Sequence, residues 1–297
     1  MNSLLFLQIF HYSYAYYVYI FIVCREMIDS QVQICIYSAV FHTLLLMLSW
    51  SLFQVLITPV KNPPPEFKVP NKYHELICWY KPKDNDGNLQ LDKPTKHQIK
   101  ALEYVRDCLN LENDMAEIDF DGRLRYCYVC KAFKPDRARH CSSCGKCVLR
   151  LDHHCPWLNK CISHSNHKFF LLFSFYSFAL NTWLLLTSIG PMFAFIYNMS
   201  RSEQAIQVFQ LGISLASQAY FGFYIVGGLA IYHLVLCSEN ETTCERAKRP
   251  VFRGDECAGY DCGVYENYQL IFGYKFWLFP IRTTFDDGCS FSDQLFQ

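Results

Sequence analysis

Charge of either sign is scarce in this chain. Its 297 residues hold 27 Lys and Arg against 27 Asp and Glu, and only 18% of positions are charged. Without a basic stripe interleaved with aromatics, the chain lacks the counter-charge and stacking surface that nucleic acid requires, so no nucleic-acid partner is expected. It also lacks a glycine-rich phosphate loop, which argues against phosphate-loop nucleotide chemistry. Internal repeats are missing too, which argues against a solenoid. Residues 1–30 show neither a basic start nor a small-residue cleavage site, so the first apolar segment is expected to stay in place as a membrane helix.

Apolar side chains are abundant: 52% of residues are hydrophobic and 17% aromatic. A helix needs about 20 largely apolar residues to cross a bilayer. Four segments qualify, from about Leu4 to Val23, Ile34 to Ile57, Phe169 to Gly190 with an extension to Tyr197, and Val208 to Leu236. The first is the least hydrophobic, because Gln8, His11, Ser13 and several tyrosines interrupt it. The expected fold class is therefore a mainly α, polytopic membrane protein with four transmembrane helices. Of the 27 basic residues, 19 fall in residues 58–168 and six after Leu236, with Arg25 and Arg201 in the short turns. This asymmetry puts both termini and the long central loop in the cytosol. The expected division is 1–58 for helices 1 and 2, 59–126 for a cytosolic connector, 127–168 for a cysteine-rich domain, 169–236 for helices 3 and 4, and 237–297 for a cytosolic tail. Within the connector, Pro63-Pro64-Pro65 predicts a stiff, extended strap. Asp84-Asn85-Asp86-Gly87 reads as a turn, and His97 to Leu111 as a short helix.

Seven of the sixteen cysteines and three histidines lie between Cys127 and Cys161. Soft donors at C-x2-C and H-C-x2-C-x2-C spacing favour zinc over hard cations, and two tetrahedral sites need eight donors. Cys127, Cys130, His140 and Cys147 are assigned to one zinc. Cys141, Cys144, His154 and Cys161 are assigned to the other, an interleaved pattern that draws one short segment into two loops. RING and LIM modules would close on a terminal C-x2-C pair, which is missing here.

Ten donors supply two sites that use eight, so Cys155 and His153 are left over, beside Asp152. A thiol, a base and a carboxylate that fixes the base's tautomer are the parts of nucleophilic catalysis. A free thiol with pKa ~8.5 is mostly protonated at neutral pH, so the adjacent imidazole matters. Zinc ligation of His154 and Cys161 on either side is expected to hold Cys155 on a rigid, sharply turned loop. A reducing cytosol keeps that thiol free and leaves the other cysteines to metal.

Residues 127–170 resemble the cysteine-rich domain of the DHHC protein S-acyltransferases. The likeness runs through Lys134, Pro135, Arg137, His140, Cys141, Asp152-His153-His154-Cys155, Pro156, Trp157, Asn159, Cys161, Asn166 and Phe170. It implies two structural zinc ions and autoacylation of Cys155 from a long-chain acyl-CoA such as palmitoyl-CoA. It also implies transfer of the acyl group to cytosolic cysteines of membrane-associated proteins, with His153 as general base and Asp152 as its partner. Lys160 and Ser163 stand where the family more often has Asn and Gly. Thr242-Thr243-Cys244-Glu245 resembles the family's TTxE motif. Tyr260, Asp261, Gly263, Asn267 and Phe272 resemble its C-terminal aromatic-and-asparagine motif, although Ala258-Gly259 replaces the usual Asn-Pro. The stretch Asp287 to Phe291 is similar to the tail of the compact four-helix members. A Golgi or endoplasmic-reticulum membrane is expected, with the plasma membrane as another possibility. The alternative is a membrane-anchored zinc module, ligase-like or scaffolding, without acyl transfer.

Burying an acyl chain contributes about 0.8 kcal/mol per CH2, more than ~10 kcal/mol for sixteen carbons, so the chain is expected to stay among the enzyme's own helices during transfer. Phe169, Phe173, Tyr176 and Leu180 share one face of the third helix at i, i+4, i+7 and i+11. Phe173, Tyr176 and Leu180, with Trp157 two residues after Cys155, are the expected acyl contacts. Plain helix packing or lipid contact is the competing reading. Cys237 and Cys244, just beyond the fourth helix, are candidates for acylation themselves. The sequon at Asn198 would be luminal and that at Asn240 cytosolic and unmodified.

Overall fold

The computed structural model describes residues 3–77, 96–111, 115–120, 122–197, 205–253, 259–283 and 288. The Asp84–Gly87 turn, the Asn198 sequon, Ala258 and the Asp287–Phe291 stretch apart from Gly288 lie outside the described residues.

Helices α1 (Ser3–Cys24) and α2 (Gln31–Ile57) form an antiparallel pair, with Ser30 capping α2 through a hydrogen bond from Gln33 N. Among the described residues the connector then carries a 3-10 turn at Pro65–Phe67 and the short helices α3 (Asn71–Ile77) and α4 (Lys96–Cys108). Among the described residues, eight short strands follow, with two more long helices among them. The strands are β1 (Glu117–Ile118), β2 (Tyr126–Cys127), β3 (Ala132–Phe133), β4 (Arg139–Cys141), β5 (Lys146–Val148), β6 (His153–Cys155), β7 (Lys160–Ile162) and β8 (Val251–Phe252). Between β7 and β8 run α5 (His167–Tyr197), α6 (Ala205–Ser238) and the one-turn helix α7 (Thr243–Ala247), and α8 (Val264–Phe272) closes the order.

Among the described residues, α1, α2, α5 and α6 are long and apolar enough to span a bilayer. They match the four expected segments, each slightly longer than the sequence suggested. Helix α5 continues through Pro191 to Tyr197, and α6 is π-helical over Gln218–Gly227, where Gly222 lies against Asn181 of α5. The chain is an integral membrane protein.

One continuous apolar core ties these spans to the cysteine-rich segment. It joins Val18, Tyr19, Phe41 and Leu48 to Phe169, Phe173 and Leu180, and it includes Cys155, Leu158 and Ile162. The strands pair as β2–β3, β4–β5 and β6–β7 hairpins, while β8 returns from the tail to pair with β1. Hydrogen bonds fasten the connector to these hairpins: Lys160 Nζ donates to Leu56 O at 2.5 Å, Ser165 Oγ to Pro59 O at 2.7 Å and Leu149 N to Lys61 O at 3.1 Å. Lys160, unusual by family standards, thus becomes a tie to the end of α2. Ser163 needs no glycine-like backbone. It is not among the residues with positive φ, and its N–H donates to Asn166 Oδ1 at 2.8 Å.

Candidate active site

The register of two hairpins builds the site. In β4–β5 His140 faces Cys147 across the ladder, and in β6–β7 His154 faces Cys161. Successive strand residues point to opposite faces. His140 therefore turns to one metal group while its neighbour Cys141 turns to the other, which is the physical origin of the interleaved ligand order. The same alternation on β6 sends His154 to a metal group and leaves His153 and Cys155 on the opposite face. The sequence suggested a turned loop for Cys155. Instead it ends a strand, and the turn follows it over Pro156–Asn159, because pairing with Lys160 extends the ladder that far.

Two clusters, Cys127/Cys130/His140/Cys147 and Cys141/Cys144/His154/Cys161, each bring their four ligand atoms within 4.8 Å of one another. In the first, His140 Nδ1 lies 3.4, 3.3 and 3.9 Å from the sulfurs of Cys127, Cys130 and Cys147. In the second, His154 Nδ1 lies 3.7, 3.4 and 3.6 Å from Cys141, Cys144 and Cys161. A tetrahedral zinc with bonds of ~2.3 Å to sulfur and ~2.0 Å to nitrogen spaces those atoms about 3.6 Å apart. The donor chemistry and spacing fit two structural zinc ions, which hold the hairpins rigid when bound. Metal analysis of purified protein is expected to give two zincs per chain; one or none would contradict this ligand set.

On the other face of β6, His153 Nδ1 lies 2.5 Å from Asp152 Oδ2. Asp152 is fully buried, and Thr243 donates to it twice, from N to Oδ1 at 2.9 Å and from Oγ1 to Oδ2 at 3.0 Å. Burial, the largest single influence, would raise the Asp152 pKa, but the His153 hydrogen bond together with the nearby His167, His233 and His153 rings outweighs it and holds the carboxyl well below the ordinary range. Burial likewise opposes charge on His153, yet its bonds to Asp152 and Cys155 push its pKa up to about 9. His153 is therefore a stronger base than free imidazole, and it shares a strand face with Cys155. His233 of α6 joins Asp152 and His153 in a third group of donors. The 2.5 Å contact there is filled by a hydrogen bond and leaves no room for an ion between Asp152 and His153.

The expected acyl contacts divide. Trp157 stands in the turn after Cys155, its ring 5.8 Å from that of Phe221 on α6. Phe173 lines a cavity of about 340 Å³ between α1, α2 and α5, with Gln8, Tyr12, Leu45 and Leu48. Tyr176 instead donates from its hydroxyl to Leu278 O at 2.5 Å, drawn toward the tail, and Leu180 is buried in the core of the spans. Phe173, Tyr176 and Leu180 belong to the same apolar core as Cys155, and the half-buried Trp157 packs against it.

The TTxE-like motif acquires a clear role in this geometry. Thr242 caps α7 in a reciprocal capping box with Glu245, which presents Thr243 to Asp152. Glu245 receives two hydrogen bonds from Arg137, at 2.9 and 2.8 Å. Arg137 is fully buried, stacks on Tyr260 with 4.2 Å to the ring centroid, and also donates to Asn240 Oδ1 and O. Tyr260 donates a hydrogen bond from its hydroxyl to Glu117 Oε1 at 2.7 Å, and Glu117 also pairs with Arg125. Asn240 is enclosed by this network, so its sequon is inaccessible. Cys237 is fully enclosed as well, while Cys244 is half-buried.

Residues 121–250 match the family model described as DHHC palmitoyltransferase. The chain is 36% identical over 293 residues to Palmitoyltransferase spe-10 of Caenorhabditis elegans, covering 98% of this chain and 83% of that protein. It is 34% identical over 281 residues to Palmitoyltransferase ZDHHC2 of Rattus norvegicus, covering 94% and 71%. To Palmitoyltransferase ZDHHC20-A of Danio rerio it is 32% identical over 285 residues, covering 95% and 74%. The chain belongs to the DHHC palmitoyltransferase family. It is an acyltransferase that palmitoylates proteins, with acyl-CoA as co-substrate.

Proposed function

We propose that Cys155 is the nucleophile of a two-step protein S-acylation. The observation that carries this reading is the placement of His153 and Cys155 together on the strand face opposite His154, with His153 already bonded to Asp152. In the first step His153 takes the Cys155 proton and the sulfur attacks the thioester carbonyl of a long-chain acyl-CoA. The bond from carbonyl carbon to CoA sulfur breaks, and His153 returns the proton to the departing thiolate. The acyl group now rests on Cys155 as a thioester. In the second step a cysteine of a membrane-associated protein attacks that thioester by the same proton exchange, regenerating the Cys155 thiol. Asp152 stays ionised, fixes the tautomer of His153 and stabilises its charged form.

The eight cluster residues act as zinc ligands and take no part in the proton path. Trp157 and Phe173 face the acyl chain, with Trp157 nearest the thioester, and Tyr176 and Leu180 back them from the same apolar core. The division at residues 58, 126, 168 and 236 separates spans, connector, zinc domain and tail. Both termini and the active site face the cytosol of a Golgi or endoplasmic-reticulum membrane, in line with the basic residues outside the spans. Substrates present cytosolic cysteines close to the bilayer.

Asp152→Asn tests this arrangement without changing shape. Asparagine cannot stabilise the imidazolium and favours the wrong tautomer, so autoacylation is expected to fall about 10²- to 10⁴-fold with both zincs retained. Activity within a factor of two of the unaltered chain would contradict the role given to Asp152. Radiolabelled palmitoyl-CoA and a cysteine-bearing acceptor peptide measure the two steps separately.

A further inference from the structure

We propose that His233 is a positioning residue for acyl transfer: its Nδ1–H completes the set of donors that orients the Asp152 carboxylate, and through it the His153 ring. The proposal rests on the roles given above to Asp152, His153 and Cys155. His233 comes from α6, 78 residues beyond the end of β6 in sequence, and only 1% of it is exposed. Its Nδ1 has no hydrogen-bond partner and faces Asp152 Oδ2 at 4.0 Å. A buried imidazole in a membrane span is costly unless its polar atoms are used. Asp152 Oδ1 is taken by Thr243 N, and Oδ2 by His153 and the Thr243 hydroxyl; His233 approaches Oδ2 as a further donor.

Aromatic packing fixes the approach. The His233 ring lies 5.7 Å from that of His153 at 36° and meets Phe170 edge-on at 5.2 Å. Phe170 in turn meets His153 edge-on at 5.2 Å. The three rings pack pairwise against one another, so a turn of the His153 plane disturbs its contacts with both His233 and Phe170. A contact that is long at rest and shortens as charge develops is a common form of catalytic hydrogen bond. Here it would close as His153 takes the thiol proton and the ion pair with Asp152 forms.

Three substitutions separate donor from packing. Asn presents an N–H where Nδ1–H stood, Gln presents one nearer the Nε2 position, and Phe keeps the ring without a donor. With zinc-loaded full-length protein and palmitoyl-CoA, His233→Gln and His233→Phe are expected to lower the autoacylation kcat about tenfold, with KM within about twofold. His233→Asn is expected to recover to within about threefold of the unaltered chain. Equal rates in all three variants, whether high or low, or a Phe variant as fast as Asn, would overturn the proposal. Failure of the unaltered chain to take label on Cys155 would overturn the reading of the site itself.

Discussion

A Cys155→Ser chain given labelled palmitoyl-CoA acquires no hydroxylamine-sensitive label, a loss of more than about a thousandfold against the unaltered chain. The expectation is strong because the substitution replaces one sulfur by oxygen and leaves the metal groups alone. Cys155 contributes no donor to either cluster, and its strand is held by His154 and Cys161 on the other face. Both zincs and the thermal melting point are therefore expected to survive. The paired control is Cys141→Ala, which removes a metal donor: it should lose zinc and activity together. Thioester label persisting in the serine variant would remove Cys155 from the role.

Glu245→Ala is the second large effect, and it reads stability rather than chemistry. Arg137 and Glu245 are both buried and joined by two hydrogen bonds. Burial would raise the Glu245 pKa, but the Arg137 guanidinium overrides it and holds the carboxyl down at about 2. Removing one partner of a buried pair leaves an uncompensated charge and costs about 3–5 kcal/mol. In a chain of this size that lowers the melting temperature on the order of 10 °C. The loss also frees the cap of α7 and, with it, Thr243, so turnover should fall in the portion that stays folded. An unchanged melting curve in detergent would show that the tail is held by other contacts. The sign of the pKa shift agrees with this: a depressed carboxyl contributes stability above its unfolded pKa, which is lost as pH falls toward 2.

The zinc ligands and the spans were legible because both signals are local. Ligand spacing needs only a few residues of soft donors, and a span needs only a hydrophobic run. Their interleaving was assigned from the sequence without its cause, since β4 and β6 are three residues long, too short for a period of two to show. Arg137 stood out only as part of a family likeness. Its partners Asn240 and Glu245 lie 103 and 108 residues away in sequence, and no pattern in one dimension pairs them. His233 carried a signal that the sequence reading passed over, a lone histidine inside an apolar span, where ionisable residues are rare and functional. Tyr176 shows what helical spacing leaves out: it groups Tyr176 on one face with Phe173, while a tail carbonyl decides where the hydroxyl goes.

By itself the order of residues determined which atoms can bind zinc, which thiol is left over and how many times the chain can cross a bilayer, because donor softness and hydrophobicity belong to side chains wherever they sit. Only the folded arrangement decided that Thr243 and His233, from the tail and the last span, converge on Asp152. Such convergence depends on packing between helices and hairpins far apart in the chain, and that packing is set by contacts no local pattern records.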